Sequence, residues 1–141
     1  IEDTKNTVDY LQTRVSQQVI FTFKAPEHPI FVAINPALHS WTIENLVKNA
    51  IDAMKGKGSL AIAISELEDV VKIKITDSGK GIPKNQFSKV FEPGFTTKKR
   101  GWGLGLSLTK RIVQEYHKGR IKVAHSEIGK GTTMQMSFKK V

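Results

Sequence analysis

The stretch DSGKGIPKNQFSKVFEPGFTTKKRGWGLGL, Asp77 to Leu106, decides how the rest of the chain is understood. It opens on an acid and two alternating glycines, Asp77, Gly79 and Gly81. A phenylalanine-rich hinge, FEPGFTTKK at Phe91 to Lys99, follows. A glycine-rich turn, GWGLGL at Gly101 to Leu106, ends it. Two glycine turns flanking a basic, threonine-bearing loop read as a cradle for a phosphorylated ligand. The first turn is weak alone, because turns use Asp and Gly constantly. The second carries more weight. Gly101, Gly103 and Gly105 precede a helix, and free amides at a helix start bind phosphate with help from the dipole. No Lys-Ser or Lys-Thr follows the last glycine, so this is not a Walker loop. A flexible basic loop precedes it, where a dinucleotide fingerprint needs a strand. A mobile linker is the plainer alternative. Alternating glycines running into a well-patterned helix argue against it.

The 141 residues fit one domain with its own core. No apolar run approaches the roughly 20 residues of a membrane helix, and no segment has the layout of a signal peptide. The absence of cysteine excludes disulfides and thiolate metal sites. The chain opens on Ile1, so it is expected to be a piece of a longer protein. The net charge of +9 is compatible with nucleic acid, an acidic protein or a phosphate-rich ligand. The basic residues spread over both halves, with one cluster at Lys98-Lys99-Arg100. Such a spread is most often a solvated surface.

Around the central stretch the periodicities predict an ordered series. Val8, Leu11 and Val15 mark a first helix over Asp3 to Val15. Val19 to Phe23 and Ile30 to Ile34 read as strands on either side of the turn Ala25 to Pro29. Asn35-Pro36 starts a helix, with Asn35 as cap and Pro36 at the first position. It runs to about Met54 and turns Ile43, Leu46, Val47, Ala50 and Met54 to the core. Asn45, Asn49 and Asp52 line the other side. Glu44, Lys48 and Asp52 there, four apart, make an ordinary wet face of ion pairs the plain reading. Gly56 to Gly58 ends the helix. Leu60, Ile62 and Ile64 alternate as a strand, Glu66 to Asp69 turns, and Val71, Ile73 and Ile75 form the strand that delivers Asp77. Pro83 to Val90 is a short helix packing Phe87 and Val90. Phe91 to Gly103 is a loop, long enough to suit a functional lid. Leu108, Ile112 and Tyr116 mark a helix from near Leu104 to Lys118-Gly119. Ile121 and Val123, then Met134, Met136 and Phe138, make the last strands, joined by Gly129-Lys130-Gly131.

A carboxylate only accepts hydrogen bonds, so Asp77 can hold an exocyclic amine such as that of adenine. Gly79 and Gly81 let the backbone approach a flat ring without a Cβ in the way. The order N-L-V-K-N-A at Asn45 to Ala50, D-S-G-K-G-I at Asp77 to Ile82, F-E-P-G-F-T-T-K at Phe91 to Lys98 and G-W-G-L-G-L at Gly101 to Leu106 resembles the N, G1, F and G2 boxes of one family. That family is the ATP-binding catalytic domain of bacterial sensor histidine kinases, within the GHKL or Bergerat-fold ATPases. The resemblance covers nearly the whole chain.

It implies an α+β fold: a two-layer α/β sandwich, a mixed β-sheet with helices packed on one face, and a flexible ATP lid, in one domain over residues 1–141. It implies that Asn49 holds Mg2+ through its amide oxygen, with Asn45 beside the phosphates. Asp77 would bind the adenine amino group, with Gly79, Gly81 and Ile82 lining the base. Gly101, Gly103, Leu104, Gly105 and Leu106 would face the phosphates, and Thr132 would stand near the adenine end. Lys98, and less directly Thr97, Lys99 and Arg100, would reach the terminal phosphates. Three positions depart from the family pattern: Trp41 and Asp52 on the long helix, and Gly94 in the lid.

The family also needs a phosphoacceptor histidine on a long helix of a dimerisation domain. His28, His39, His117 and His125 do not fit and read as surface or core residues. The implied function is that of a protein histidine kinase fragment that binds ATP and Mg2+ and gives the γ-phosphate to a histidine on that separate domain. No catalytic residue is assigned within this chain, and no transfer is expected without the acceptor domain. Superfamily ATPases place a glutamate where Asn45 stands, and an asparagine cannot act as a base. The implied setting is bacterial and cytoplasmic, with an isolated domain that is monomeric, a homodimeric parent that an inner-membrane anchor would suit, and a response regulator reached through the full kinase. Two other classes stay open. The boxes also resemble anti-sigma serine kinases. A non-catalytic nucleotide- or nucleic-acid-binding module ranks last, because no aromatic residues interleave with the basic ones; no nucleic acid is expected.

Overall fold

The computed structural model of the chain describes residues 2–12, 19–27, 32, 34–54, 57–92 and 105–140. The first helix, α1, spans Glu2–Gln12 and buries Thr4 and Val8; its expected continuation to Val15 lies outside the described residues. Strand β1 spans Val19–Lys24. Of the expected strand Ile30 to Ile34, the described residues Val32 and Ile34 show one isolated bridge, Val32 to Lys140, and no strand of the sheet.

Asn35 and Pro36 start helix α2, Pro36–Ala53, as their chemistry requires. The Leu38 amide donates to Asn35 Oδ1 at 3.2 Å, satisfying one of the free donors of the first turn. Ile43, Leu46, Val47, Ala50 and Met54 are all buried, so the apolar stripe is the packed face. Each such large side chain contributes about 1.5–3 kcal/mol by leaving water.

Strands β2, Gly58–Leu67, and β3, Val70–Asp77, form a hairpin. Its turn is only Glu68-Asp69, shorter than Glu66 to Asp69, because Glu66 and Leu67 pair with Val71 and Val70. Glu68 takes the left-handed conformation, φ 55°, that so tight a reversal needs. Two separate 3₁₀ turns, Lys84–Gln86 and Lys89–Phe91, replace the single short helix expected after Pro83. Val90 and Phe91 are buried and Phe87 half-buried, so the packing expectation holds.

Helix α3 spans Gly105–Arg111 and continues as a π-helical turn, Ile112–Tyr116. Its buried side is not the one that Leu108, Ile112 and Tyr116 mark. Leu108 and Tyr116 are exposed, whereas Thr109, Ile112, Val113 and His117 are buried. The extra residue of the wider turn, seen in the His117 amide donating to the Ile112 carbonyl at 3.0 Å, brings His117 and not Tyr116 to the buried face. Two of those buried residues are polar, so hydrophobicity alone does not reveal it.

Strands β4, Arg120–Glu127, and β5, Gly131–Lys139, complete a five-stranded sheet in the order β1-β2-β3-β5-β4. Only β1 and β2 are parallel, as a connection through α2 allows; the other pairs are antiparallel. The sheet is therefore mixed, as expected. One set of alternating residues, including Leu60, Ile62, Ile73, Ile75, Met136 and Phe138, packs with α2 in a single core. The other set is open. Lys24, Ala63, Lys74, Gln135 and Lys122 run across it in register, and Lys72 and Arg120 flank Ser137 beside them. The sequence scatters these cations; the pleat collects them on one face. No helix among the described residues is long and apolar enough to cross a membrane.

Candidate functional site

The pairing of β3 with β5 places Asp77 opposite Thr132 at the end of the sheet nearest the C-terminal end of α2. Asp77 is 8% exposed. Its Oδ1 accepts from the Gly79 amide at 2.8 Å. Burial pushes the carboxyl above its ordinary value, and the amides of Gly79 and Thr132 act in the opposite sense. A buried carboxylate held by two amides, with oxygen lone pairs left over, is an acceptor suited to an amine that arrives with its own donors.

The Gly79 to Ile82 turn is tied on both sides. The Lys80 amide donates to the Ala53 carbonyl at the end of α2 at 3.1 Å, and the Gly129 amide donates to the Lys80 carbonyl at 2.8 Å. A Cβ at Gly79 would meet the Ala53 backbone at 2.7 Å. Gly81 has φ +82°, and a Cβ there would collide with the Glu127 carbonyl. These glycines are required by protein backbone on either side, a reason independent of any ring.

Two hydroxyls close the far side of the turn, and a third, that of Ser78, lies on the α2 side near Met54. Ser126 Oγ accepts from the Ile82 amide at 2.7 Å, donates to the Gly131 carbonyl at 3.0 Å, and lies 2.8 Å from Thr132 Oγ1. Ser78 Oγ accepts from the Ser59 amide at 3.0 Å. Sequence reasoning named Thr132 and missed Ser126, because only the β4 bulge at Val123/His125 brings Ser126 opposite Thr132.

Asn45, Asn49 and Ala53 are four apart on α2, so they share one stripe about 12 Å long. Ala53 meets the Gly79–Lys80 turn at one end. At the other end Asn45 Nδ2 donates to Thr109 Oγ1 of α3 at 2.8 Å. Thr109 is fully buried and was also missed. Glu44 and Lys48 do form the expected ion pair, at 2.8 Å. The asparagines thus lie between the first glycine turn and the helix opened by the second. Gly105 begins α3 and Leu106 packs against the core. Thr97, Lys98, Lys99, Arg100, Gly101, Gly103 and Leu104, with Gly94 and the lid, lie outside the described residues.

His39 and His117 belong to the core. Each packs edge-on against Phe138, with ring centroids 6.3 and 6.2 Å away. His39 Nε2 lies 2.7 Å from Thr4 Oγ1, and His117 Nε2 accepts from the Asn35 amide at 3.1 Å. Burial, and then the neighbouring His117, push His39 down to about 4. Burial lowers His117 as well. His125 is exposed in β4, and His28 lies outside the described residues. An open depression lined by Ile34, Asn35, Pro36, Leu38, Tyr116 and His117 shares no residue with the site at Asp77.

Residues 38–141 match the family described as histidine kinase-, DNA gyrase B- and HSP90-like ATPase. The chain is 39% identical over 121 residues to the sensor histidine kinase ZraS of Escherichia coli strain K12, covering 86% of this chain and 26% of ZraS. It is 43% identical over 97 residues to sporulation kinase A of Bacillus subtilis strain 168, covering 68% of this chain and 16% of that one. It therefore spans about a quarter or less of these relatives. The nucleotide-free catalytic domain of the histidine kinase ThkA superposes with a TM-score of 0.87 at 26% identity, over 99% of this chain and 91% of that one. ThkA in complex with the response regulator protein TrrA superposes with a TM-score of 0.85 at 25% identity, over 99% of this chain and 40% of that one.

Proposed function

Because the chain belongs to the histidine kinase-, DNA gyrase B- and HSP90-like ATPases, we propose that it binds Mg-ATP and presents the γ-phosphate to a histidine on a separate domain of a two-component sensor kinase. One observation supports this most. The stripe Asn45–Asn49–Ala53 runs from the buried hydroxyl of α3 to the glycine turn after Asp77. A nucleotide laid along it would have its base beside Asp77, Gly79, Gly81, Ile82 and Thr132. Its phosphates would lie towards Asn45, Asn49 and the second glycine turn at Gly101, Gly103, Leu104, Gly105 and Leu106, with Thr97 and Lys98 reaching them from the lid.

Asp77 would accept a hydrogen bond from the adenine amino group, and the Gly79 and Thr132 amides fix the carboxylate for it. The Asn49 amide oxygen suits Mg2+, a hard cation that takes oxygen ligands and keeps several from phosphate and water. Among the described residues no three His, Cys, Asp or Glu side chains group as a cage, so phosphate oxygens would supply the balance. Bound there, Mg2+ would neutralise phosphate charge. The remaining work is positioning, because a neutral imidazole nitrogen needs no activation. An amide at Asn45 cannot remove a proton from water, which favours transfer over hydrolysis.

In this reading the acceptor histidine and the dimer contacts belong to another domain, a response regulator is the eventual recipient, and the domain works in the bacterial cytoplasm. The test is to mix the domain with ATP, Mg2+ and the histidine-bearing domain of its parent. Acid-labile phosphorylation of that domain is expected. Rapid ATP hydrolysis by this domain alone, or an acid-stable phosphoserine on a partner, would overturn the reading.

A further inference from the structure

We propose that Thr109 is a positioning residue that fixes which end of the Asn45 amide faces the phosphate region. An asparagine amide can turn either its NH₂ or its oxygen outward, and the two ends have opposite chemistry. In this chain Asn45 Nδ2 donates to Thr109 Oγ1 at 2.8 Å. Thr109 has no exposed surface, while Asn45 is half-buried. The NH₂ end is thus anchored inward and Oδ1 is the end left to the open side.

The hydroxyl is suited to accept. A threonine inside a helix commonly gives its own proton to the carbonyl one turn earlier. Thr42 does so to the Leu38 carbonyl at 2.9 Å, and Thr7 to the Asp3 carbonyl at 3.0 Å. A Thr109 proton directed in the same way would leave the oxygen lone pairs to the Asn45 amide, which donates to it. The amide orientation then follows from proton supply and not from packing alone.

This has a consequence for the ligand and rests on the Mg-ATP reading. An outward Oδ1 repels a bare phosphate oxygen and attracts a cation or a donor. Asn45 therefore meets Mg2+ or one of its coordinated waters. The anchor also lies on α3, which begins at Gly105 of the second glycine turn.

The experiment compares ATP affinity by calorimetry in excess Mg2+ and in EDTA for the wild type, Thr109→Val and Thr109→Ser. Valine keeps the shape and removes the acceptor; serine keeps the oxygen. The inference expects Thr109→Val to reduce the Mg2+-dependent gain in affinity about fivefold, the scale of one hydrogen bond. The affinity in EDTA should hold, and Thr109→Ser should restore the gain. Equal losses with and without Mg2+ would mean a merely structural role and would overturn it, as would no loss at all. In an Asn45→Ala background, Thr109→Val should have no further effect on the gain. Should Thr109→Val not fold, the wild type alone decides by NMR: one Asn45 side-chain NH₂ proton is protected from exchange, and rapid exchange of both refutes the anchor. A wild type that binds no ATP in either condition would refute the nucleotide reading instead, and is distinct from each of these results.

Discussion

Lowering the pH from 7 to 4 should destabilise this domain through His39, and the size of the effect follows from its surroundings. The ring is 3% exposed, lies between Thr4 and Phe138, and has no hydrogen-bond partner at Nδ1 among the described residues. Burial and the nearby His117 hold it down to about 4, against an ordinary 6.5. Between those values the unfolded chain binds a proton that the folded one refuses. Stability is therefore present above pH 6.5 and is lost as the pH falls towards 4. A shift of that size corresponds to about 3 kcal/mol, a large share of the 5–15 kcal/mol typical of a domain. His117, lowered by burial, acts in the same direction. Asp77, raised by burial, acts oppositely, since its contribution weakens as the pH rises above 3.8. The assay is urea unfolding at a series of pH values for the wild type and His39→Gln, which keeps a polar group for Thr4 without titrating. The wild type should lose about 3 kcal/mol more than the variant between pH 7 and 4. Parallel curves for the two proteins would refute the reasoning.

Other outcomes follow from the site. Asp77→Asn replaces a charge-assisted acceptor and should weaken ATP binding about 10- to 150-fold. Its melting temperature should stay close to the wild type's, because burying a neutral amide avoids the desolvation of the carboxylate; calorimetry and thermal melts check both. Gly131→Ala should cost about 2–4 kcal/mol, since φ is +128° and the new Cβ would collide with the Asp77 carbonyl. Gly129→Ala, at φ +80° with nothing within 4 Å, should cost only about 1 kcal/mol. Denaturant titrations compare the two. Ser126→Ala removes the acceptor of the Ile82 amide and should weaken both stability and ATP affinity, by about 1–3 kcal/mol in stability and measurably by calorimetry in affinity.

The parts of the fold that local chemistry dictates were legible. Asn35 and Pro36 announced α2 because capping and a missing amide are properties of those two residues. The alternations in β2 and β3 put Asp77 at a strand end, where it is. Features set by partners far away in sequence were not legible. Gly79 and Gly81 looked like openings for a ring, yet Ala53 and Glu127 also demand them. The buried face of α3 carries Thr109 and His117, whose worth depends on Asn45 and Asn35 across the interface. The strand expected over Ile30 to Ile34 reduces, at the described residues, to a bridge at Val32. Ser126 became a neighbour of Thr132 only through a bulge. The resemblance of the boxes carried the site assignment further than periodicity did, because periodicity reports burial and not ligands.

The central claim is tested most directly by calorimetric titration of ATP and ADP, each with Mg2+, into this domain. The account expects saturable binding of both nucleotides at one site per chain. A heat of dilution alone, with the folded state verified in the same sample, would contradict it.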